Sequence, residues 1–267
     1  MPKKNLIILK LGGSVITWKK ERRKKINRKA LERISFEIAG AKKKKDFSLI
    51  IIHGVGSFGH IIAKKFGLNE GYKNKAQIKA ITELCCDLKE LNLEVIKALK
   101  NTGLNAIPFQ QSSAWKLHGK KLDNPNLDII KSYLDIDFVP VLYGDLMTDN
   151  DLGFSILSGD KIVYCLAKKL KAQRVILGTD VDGIFDHNPR IYKNAKLFKK
   201  IDRTNIKEIN AGESTAIDIT GGMGGKVGEL IKLAKFGIKS EIVNIAKPNV
   251  LEKALAEKKN LGTLIEW

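Results

Sequence analysis

The sequence predicts an α/β fold in which an open, mainly parallel sheet carries helices on both faces. Apolar runs of strand length alternate with stretches of helical periodicity along the chain, and this alternation is typical of such sheets. The predicted strands at residues 6–11 and 49–52 flank one helix, and a βαβ unit of this kind implies parallel strands. Glycine-rich stretches follow several strands, at the edge where open parallel sheets bind ligands.

Local patterns justify the elements of the first 170 residues. Asn27 caps a helix whose apolar residues recur at helical spacing. The lysines at 42–45 come at its C-terminal end, where positive charge interacts favourably with the helix dipole. A longer helix spans residues 74–101 and ends before Gly103. The other predicted elements are helix 58–66, strand 105–109, hairpin 116–122, helix 127–134, strand 138–143, hairpin 146–156 and helix 161–170.

The alternation continues through the rest of the chain. A strand at residues 174–177 runs into a turn rich in glycine and aspartate. Later predicted elements are helix 226–236, strand 241–244, helix 250–257 and strand 263–266. The segments at 188–201 and 206–210 are predicted to lie at the periphery.

Composition limits the class of protein. Hydrophobic residues make up 43% of the 267-residue chain, enough for one large core or two modest ones. No run of eighteen apolar residues and no secretory signal occurs, so we expect no membrane partner. The three cysteines include no C-x-x-C pair, which argues against a zinc site or a disulfide framework. We therefore expect a cytoplasmic protein without a metal site of its own.

The net charge of +19 invites a nucleic-acid interpretation that the residue distribution does not favour. Lysines are spread over every predicted helix as well as two runs, and aromatic residues make up only 7% of the chain. A solvated lysine-rich face that also attracts polyanions such as ATP explains the charge more simply, so we expect no nucleic-acid partner. A non-catalytic regulator that binds nucleotide or nucleic acid stays open as an alternative.

Residues 49–60 predict an anion site. Four apolar residues read as a buried strand, three glycines form a loop, and a helix begins after them. Backbone N–H groups and the positive end of the helix dipole then converge where the strand ends, which suits phosphate. His60 is predicted in the first helical turn, facing that anion. The alternative is a tight βα turn with an ordinary histidine.

The known nucleotide-loop fingerprints do not fit this loop. No G-x-x-x-x-G-K-[ST] occurs, and residues 53–60 lack the spacing and the ribose-binding acid of a dinucleotide site, which disfavours hydride transfer. Phosphoryl transfer needs cations around a charged group and donors that hold the reactants in line. Lys10 and Lys226, each among glycines at an element end, could supply that charge.

Six motifs in order carry a family resemblance. They are Lys10-Leu11-Gly12-Gly13-Ser14, His53-Gly54-Val55-Gly56-Ser57-Phe58-Gly59-His60, Gly144-Asp145, Ser158-Gly159-Asp160, Thr179-Asp180-Val181-Asp182-Gly183 and Asp218-Ile219-Thr220-Gly221-Gly222-Met223. The set resembles the amino acid kinase superfamily and, within it, the isopentenyl phosphate kinases. The resemblance implies a homodimer of three-layer α/β/α sandwiches. Each would be a single domain, 1–267, with the acceptor side at about 1–170 and the nucleotide side at about 171–267.

The resemblance also implies an ATP-dependent kinase whose small-molecule substrate is isopentenyl phosphate. The implied catalytic residues are Lys10, Lys19, His60, Asp160 and Lys226. His60 would bind the acceptor phosphate, Asp160 would orient Lys10 and Lys226, and Lys19 would lie near the transferred group.

The implied binding residues form two groups. The acceptor group is Gly54, Val55, Gly56, His60 and Gly159, with the N–H groups of 54–56 against the phosphates. The ATP group is Lys10, Gly12, Gly13, Ser14, Gly56, Thr179, Asp180, Gly222 and Lys226. The implied cofactors are ATP and Mg²⁺, and we expect Mg²⁺ to arrive bound to ATP rather than in a protein cage.

Simpler roles stay open for some of these residues. Asp160 could cap the helix that follows it, Lys19 could be solvated surface, and Asp180 could form a turn. Val55 departs from the family pattern, since many members have a small residue there. A β-branched side chain resists a positive φ and adds bulk beside the loop, so we expect a changed loop or pocket.

Apolar residues indicate the nature of the acceptor. Ile81 and Leu84 on the long helix could wall a pocket beside His60. Burial at about 0.8 kcal/mol per CH₂ would then favour a five-carbon tail over inorganic phosphate. The alternative enzyme is a related kinase acting on a phosphonate such as fosfomycin, because a histidine at this position suits any phosphate-like acceptor.

Overall fold

An eight-stranded, mainly parallel sheet forms the centre of the computed structural model, which describes residues 4–18, 24–189, 191–206 and 223–267. The strands lie in the order β12-β14-β13-β9-β1-β2-β6-β3. Only the β13–β14 pairing is antiparallel among the described pairs of this sheet. The strands are β1 Leu6–Leu11, β2 Ser48–His53, β3 Ala106–Pro108, β6 Val139–Tyr143, β9 Arg174–Thr179, β12 Lys200–Ile201, β13 Lys239–Asn244 and β14 Gly262–Ile265.

Two small sheets lie outside the central one. The first consists of β4 Leu117–His118, β5 Lys121–Leu122, β7 Asp145–Asp149 and β8 Gly153–Leu157, and the second pairs β10 Ile184–Phe185 with β11 Leu197–Phe198. The first small sheet contains both predicted hairpins. The segment predicted as peripheral at 188–201 contributes β12, which extends one edge of the central sheet.

Helices cover both faces of the central sheet. They are α1 Gly13–Ile16, α2 Arg28–Lys44, α3 Gly56–Lys65, α4 Ala76–Lys100, α5 Gln111–Ala114, α6 Asp128–Asp135, α7 Gly159–Leu170, α8 Met223–Ala234 and α9 Val250–Leu255, with a 3₁₀ turn at Leu68–Glu70. No helix of the described residues is long and apolar enough to cross a membrane.

Strand alternation divides the core into two layers. Ile8 and Val175 pack in one cluster with α6, α7 and α8, whereas Ile7 and Ile176 pack in the other with α2, α4 and α9. Successive strand residues point to opposite faces, so each strand feeds both layers. The predicted three-layer α/β/α sandwich is therefore confirmed.

Element ends differ from the prediction in ways that matter for the site. Helix α3 begins at Gly56, two residues before the predicted start at 58, and His60 consequently lies in its second turn rather than its first. Helix α7 begins at Gly159 with Ser158 as its N-cap. The predicted piece at 206–210 lies almost entirely outside the described residues.

Candidate active site

The site forms where three neighbouring parallel strands end together. Leu11 at the end of β1 is level with His53 of β2 and with Gly178 of β9. The glycine stretches that follow β1 and β2, and Thr179 at the end of β9, therefore meet at one edge, as the sequence predicts.

The loops after β1 and β2 approach each other so closely that only glycine fits. A Cβ placed on Gly13 would lie 2.4 Å from the backbone nitrogen of Gly56. Gly56 has a φ of +49°, and a Cβ there would lie 2.0 Å from Oγ1 of Thr17. The two glycines thus allow one continuous backbone surface, which a side chain at either position would break.

Backbone N–H groups on this surface divide into engaged and available donors. Gly12 donates to the carbonyl of Gly178 and Gly54 donates to that of Leu11, both at 2.8 Å. The predicted role of the Gly54 N–H as a phosphate donor is therefore wrong, because the N–H already bonds the β1 backbone. Among the described residues the N–H groups of Gly13, Val55 and Gly56 have no acceptor, and Gly56 begins α3, whose N-terminus favours anions.

Thr17 fixes the two loops relative to each other. Its Oγ1 donates to the Gly13 carbonyl at 2.7 Å and accepts from the Ser57 N–H at 3.1 Å. Thr17 is 1% exposed, so water does not compete for these bonds. No local pattern in the sequence marks Thr17, because its partner Ser57 lies 40 residues away in the chain.

A carboxylate with two ammonium groups lies across from the loops. Asp160 Oδ1 accepts from Lys10 Nζ at 2.5 Å, and Asp160 Oδ2 lies 3.9 Å from Lys226 Nζ. Burial of Lys10 lowers the pKa of its ammonium, an effect that Asp160 opposes and Lys226 reinforces. The simpler role of Asp160 as helix cap is not observed, since Ser158 Oγ accepts from the Lys161 N–H at 3.3 Å in that position.

A buried polar contact supports the loop from behind. His53 is fully buried, its Nε2 lies 3.1 Å from Nδ2 of Asn92, and its ring stacks on Tyr143. Burial lowers the pKa of His53 to about 4, so the ring is neutral at pH 7. Asn92 was missed, although a polar residue four positions after Leu88 in the apolar stripe of α4 is a signal that could have found it.

A cavity of about 520 Å³ joins these groups. Lys10, Lys226, Gly159 and Asp160 line its polar side together with the loop glycines, and exposed His60 lies at its margin. The apolar wall comes from the loop after β2, two helices and two strands, and consists of Val55, Ala63, Leu84, Leu88, Leu146, Ile156 and Leu157.

Only one of the two predicted wall residues reaches this cavity. Leu84 lines it, whereas Ile81 packs half-buried against the neighbouring cluster and is not among the lining residues that the structure describes. Asp145 also lines it, and burial raises the pKa of this carboxyl to about 6. Gln110 donates to Asp145 at 3.1 Å and so holds the carboxyl in place.

The predicted nucleotide residues lie beside the loop after β1. Ser14 Oγ donates to Asp180 Oδ1 at 2.9 Å, so Asp180 has a partner on the loop after β1. Thr179 Oγ1 donates to the Val181 carbonyl at 2.9 Å and shapes the turn after β9. Lys19 and Gly222 lie outside the described residues.

Val55 occupies its place in the loop without strain. Its φ is −84° and its ψ is −19°, and the positive φ of the loop falls on Gly56 instead. The predicted conflict between a β-branched residue and a positive φ therefore does not arise. Val55 lines the cavity, and a changed pocket stays a prediction.

The residues present fit a nucleotide phosphate better than a caged metal ion. The glycine surface leaves room for a close ligand, and the residues that carry the three available N–H groups and the two ammonium groups line one cavity. No group of three or more His, Cys, Asp or Glu residues with metal-binding geometry occurs within the described ranges.

Comparison with known proteins agrees with this geometry. The sequence profile of the amino acid kinase family matches residues 5–244. The chain belongs to the amino acid kinase family. It is 40% identical to isopentenyl phosphate kinase from Methanothermobacter thermautotrophicus, covering 97% of this chain and 98% of that one. The resemblance that the motifs indicate is thereby confirmed.

Solved structures give the same result. A structure of isopentenyl phosphate kinase superposes with a TM-score of 0.84 at 37% identity, covering 97% of this chain and 100% of that chain. The Thermoplasma acidophilum isopentenyl phosphate kinase product complex superposes with a TM-score of 0.78 at 29% identity, covering 98% of this chain and 100% of that chain. This member of the amino acid kinase family therefore shares its fold with both.

Proposed function

We propose that this chain transfers the γ-phosphoryl group of ATP to isopentenyl phosphate and so forms isopentenyl diphosphate and ADP. The observation that carries the proposal is one cavity of about 520 Å³ in which Lys10, Lys226 and His60 share a space with an apolar wall. The cations suit two phosphate groups, and the wall suits a five-carbon tail. Likeness to isopentenyl phosphate kinases supports the same substrate.

The reaction needs no protein base. A phosphate monoester has a second pKa of about 6 and is a dianion at neutral pH, so its oxygen is already a nucleophile. That oxygen forms a bond to the γ-phosphorus while the bond from this phosphorus to the β–γ bridging oxygen breaks. The electron pair leaves with ADP.

The chain supplies charge and position. Lys10 and Lys226 would offset the charge that builds up around the transferred group, and the buried surroundings of Lys10 strengthen that effect. Asp160, which contacts both ammonium groups, would keep them at a fixed separation. His60 would donate to the acceptor phosphate, which places the acceptor near the start of α3.

Nucleotide contacts would come from the loop after β1 and the turn after β9. The Gly13 N–H is on the first of these segments, and the Ser14–Asp180 hydrogen bond joins the two. Mg²⁺ would enter on the ATP phosphates and supply further charge neutralisation there. Lys19 and Gly222 are proposed from the family resemblance alone, as a lysine near the transferred group and a glycine over the phosphates.

The test is ADP release with a panel of acceptors: isopentenyl phosphate, fosfomycin and a carboxylate. We expect turnover with isopentenyl phosphate and little with the others. His60→Ala should lower kcat by roughly 10²–10³, the size of one lost transition-state donor, with the ATP KM unchanged. Near-native turnover by that variant would remove His60 from the acceptor site.

We also propose that the enzyme works as a homodimer in the cytoplasm. Phe36 on α2 and Leu93 on α4 are more than half exposed, and these two helices pack on the same face of the sheet. The three cysteines are free thiols, which suits a reducing compartment. Light scattering should give twice the mass of the chain, and a monomer would contradict the dimer.

A further inference from the structure

Val55 has a packing partner that explains a glycine inside a helix. A Cβ added to Gly59 would lie 2.5 Å from Cγ2 and 2.8 Å from Cβ of Val55. Gly59 lies within α3, and its φ is not positive. A helix-interior glycine costs about 0.5–1 kcal/mol relative to alanine, so glycine here needs a reason other than backbone conformation. The reason is the space that the Val55 side chain takes.

The second methyl group of Val55 lies against another glycine. A Cβ added to Gly144 would lie 3.4 Å from Cγ1 of Val55. Val55 thus places one methyl over Gly59 and the other towards Gly144, which joins β6 to β7. The side chain is held on two sides by positions that lack side chains of their own.

Val55 marks the phosphate end of the apolar wall. It lies in the chain directly before Gly56, and the N–H groups of both residues are among the available donors. The other large apolar lining residues, such as Leu84 and Ile156, come from α4 and β8. Val55 is therefore the apolar side chain of this wall that is carried by the anion-binding loop itself.

We propose that Val55, seated over Gly59 and Gly144, is a specificity-determining residue that sets the width of the cavity beside the carbon bearing the acceptor phosphate. It admits phosphates of primary alcohols and excludes those branched at that first carbon. This inference rests on the proposed function, because it requires the acceptor phosphate to lie on the loop at residues 54–56.

Two isomeric probes test the width. Butan-1-yl phosphate and butan-2-yl phosphate contain the same atoms and differ only in branching at the phosphate-bearing carbon. The readout is the ratio of the kcat/KM values of the two isomers. If one isomer is not turned over, the readout is instead the ratio of the two inhibition constants, measured with isopentenyl phosphate as the substrate. Wild type favours the primary isomer, and Val55→Ala shifts the ratio towards the branched isomer by about tenfold or more.

Leu84→Ala is the matched control for this shift. It removes a larger apolar group from the same cavity, but from α4. The ratio of the two butyl isomers stays within twofold of wild type in this variant. An unchanged ratio in Val55→Ala, or an equal shift in Leu84→Ala, overturns the assignment of Val55.

The contact between Val55 and Gly59 is tested by compensation. Gly59→Ala lowers kcat/KM for isopentenyl phosphate at least tenfold, because its new Cβ displaces Val55. Val55→Gly removes both contacting atoms and restores most of that loss in the double variant, whereas Val55→Ala retains Cβ and restores less. Gly228 in α8 has no atom within 4 Å of an added Cβ, so Gly228→Ala reports the effect of a helix alanine alone.

Failure of this inference is distinguishable from failure of the proposed function. If wild type phosphorylates isopentenyl phosphate and the Gly59→Ala loss is not relieved by Val55→Gly, the packing account is wrong and the kinase function stands. If wild type phosphorylates no alkyl phosphate and none inhibits it, the acceptor assignment is wrong and the inference falls with it.

Discussion

Replacing Asp160 by asparagine removes a carboxylate that contacts both ammonium groups of the site. The side chains of Lys10 and Asp160 are only 8% and 19% exposed, so water compensates little for the loss of the Asp160 charge. At an effective dielectric of about 20, a pair of unit charges at 4 Å attracts by about 4 kcal/mol, and Lys226 lies at 3.9 Å. The two ammonium groups then lose the attraction of the carboxylate that they share.

We expect Asp160→Asn to lower kcat/KM for ATP by roughly 10²–10³, because about 3–4 kcal/mol of transition-state stabilisation is lost. Asparagine keeps the shape of the side chain, so the protein should still fold. The assay is initial-rate ADP release at varied ATP, with a thermal melt in parallel. Ser158→Ala is the control: it removes the observed cap of α7, should lower the free energy of unfolding by about 1 kcal/mol, and should affect kcat/KM far less.

The pH profile of the same variant gives a second signature. The Lys10 ammonium must be charged to act on phosphate, so activity falls as pH rises through its pKa. Asp160 raises that pKa against the effect of burial. In Asp160→Asn the alkaline loss of activity should therefore begin at lower pH than in wild type. A kcat/KM within threefold of wild type with an unmoved alkaline limb would refute the orienting role.

Three further predictions follow from the site. Thr17→Val, which removes the hydroxyl that bridges the two loops at 2.7 and 3.1 Å, should lower kcat at least tenfold in the ADP assay, and an unchanged kcat would mean the loops hold without it. The pKa of His53 in the folded protein is about 4, below the ordinary value of 6.5. Between pH 4 and 6.5 the unfolded chain therefore binds a proton at His53 that the folded protein does not bind. Stability should fall as pH drops from about 6.5 to 4, by up to about 3 kcal/mol from this residue, and His53→Asn should flatten that fall in urea melts. Leu84→Ala should admit longer prenyl phosphates while Ile81→Ala should not, and equal chain-length profiles would contradict the observed wall.

Much of the fold and part of the site could be predicted because their signals are local in sequence. Strands β1 and β2, the cap at Asn27 and the glycine loops follow from short patterns. The cap of α7 was expected at Asp160 and lies at Ser158 instead. The early start of α3 was not predicted, because Gly56 is a poor helix former and its place is fixed by contact with Gly13.

Contacts between distant residues were beyond local patterns. Lys10 and Asp160 are 150 residues apart in the chain, and in the sequence only the family resemblance indicates that they lie in one site. The Gly54 N–H donates to the Leu11 carbonyl because of the way in which β1 and β2 pair, and the periodicity of the sequence does not predict this bond. Both Ile81 and Leu84 follow the apolar stripe of α4, and only packing decides which of them turns towards the cavity.

A direct competition between acceptors tests the central claim. Wild-type enzyme with ATP, Mg²⁺ and equal amounts of isopentenyl phosphate and fosfomycin can be followed by ³¹P NMR, which resolves a diphosphate from a phosphorylated phosphonate. The account predicts that isopentenyl phosphate is converted to isopentenyl diphosphate with matching ADP formation while fosfomycin persists. Consumption of fosfomycin with isopentenyl phosphate left intact, or loss of ATP with neither acceptor changed, would contradict it.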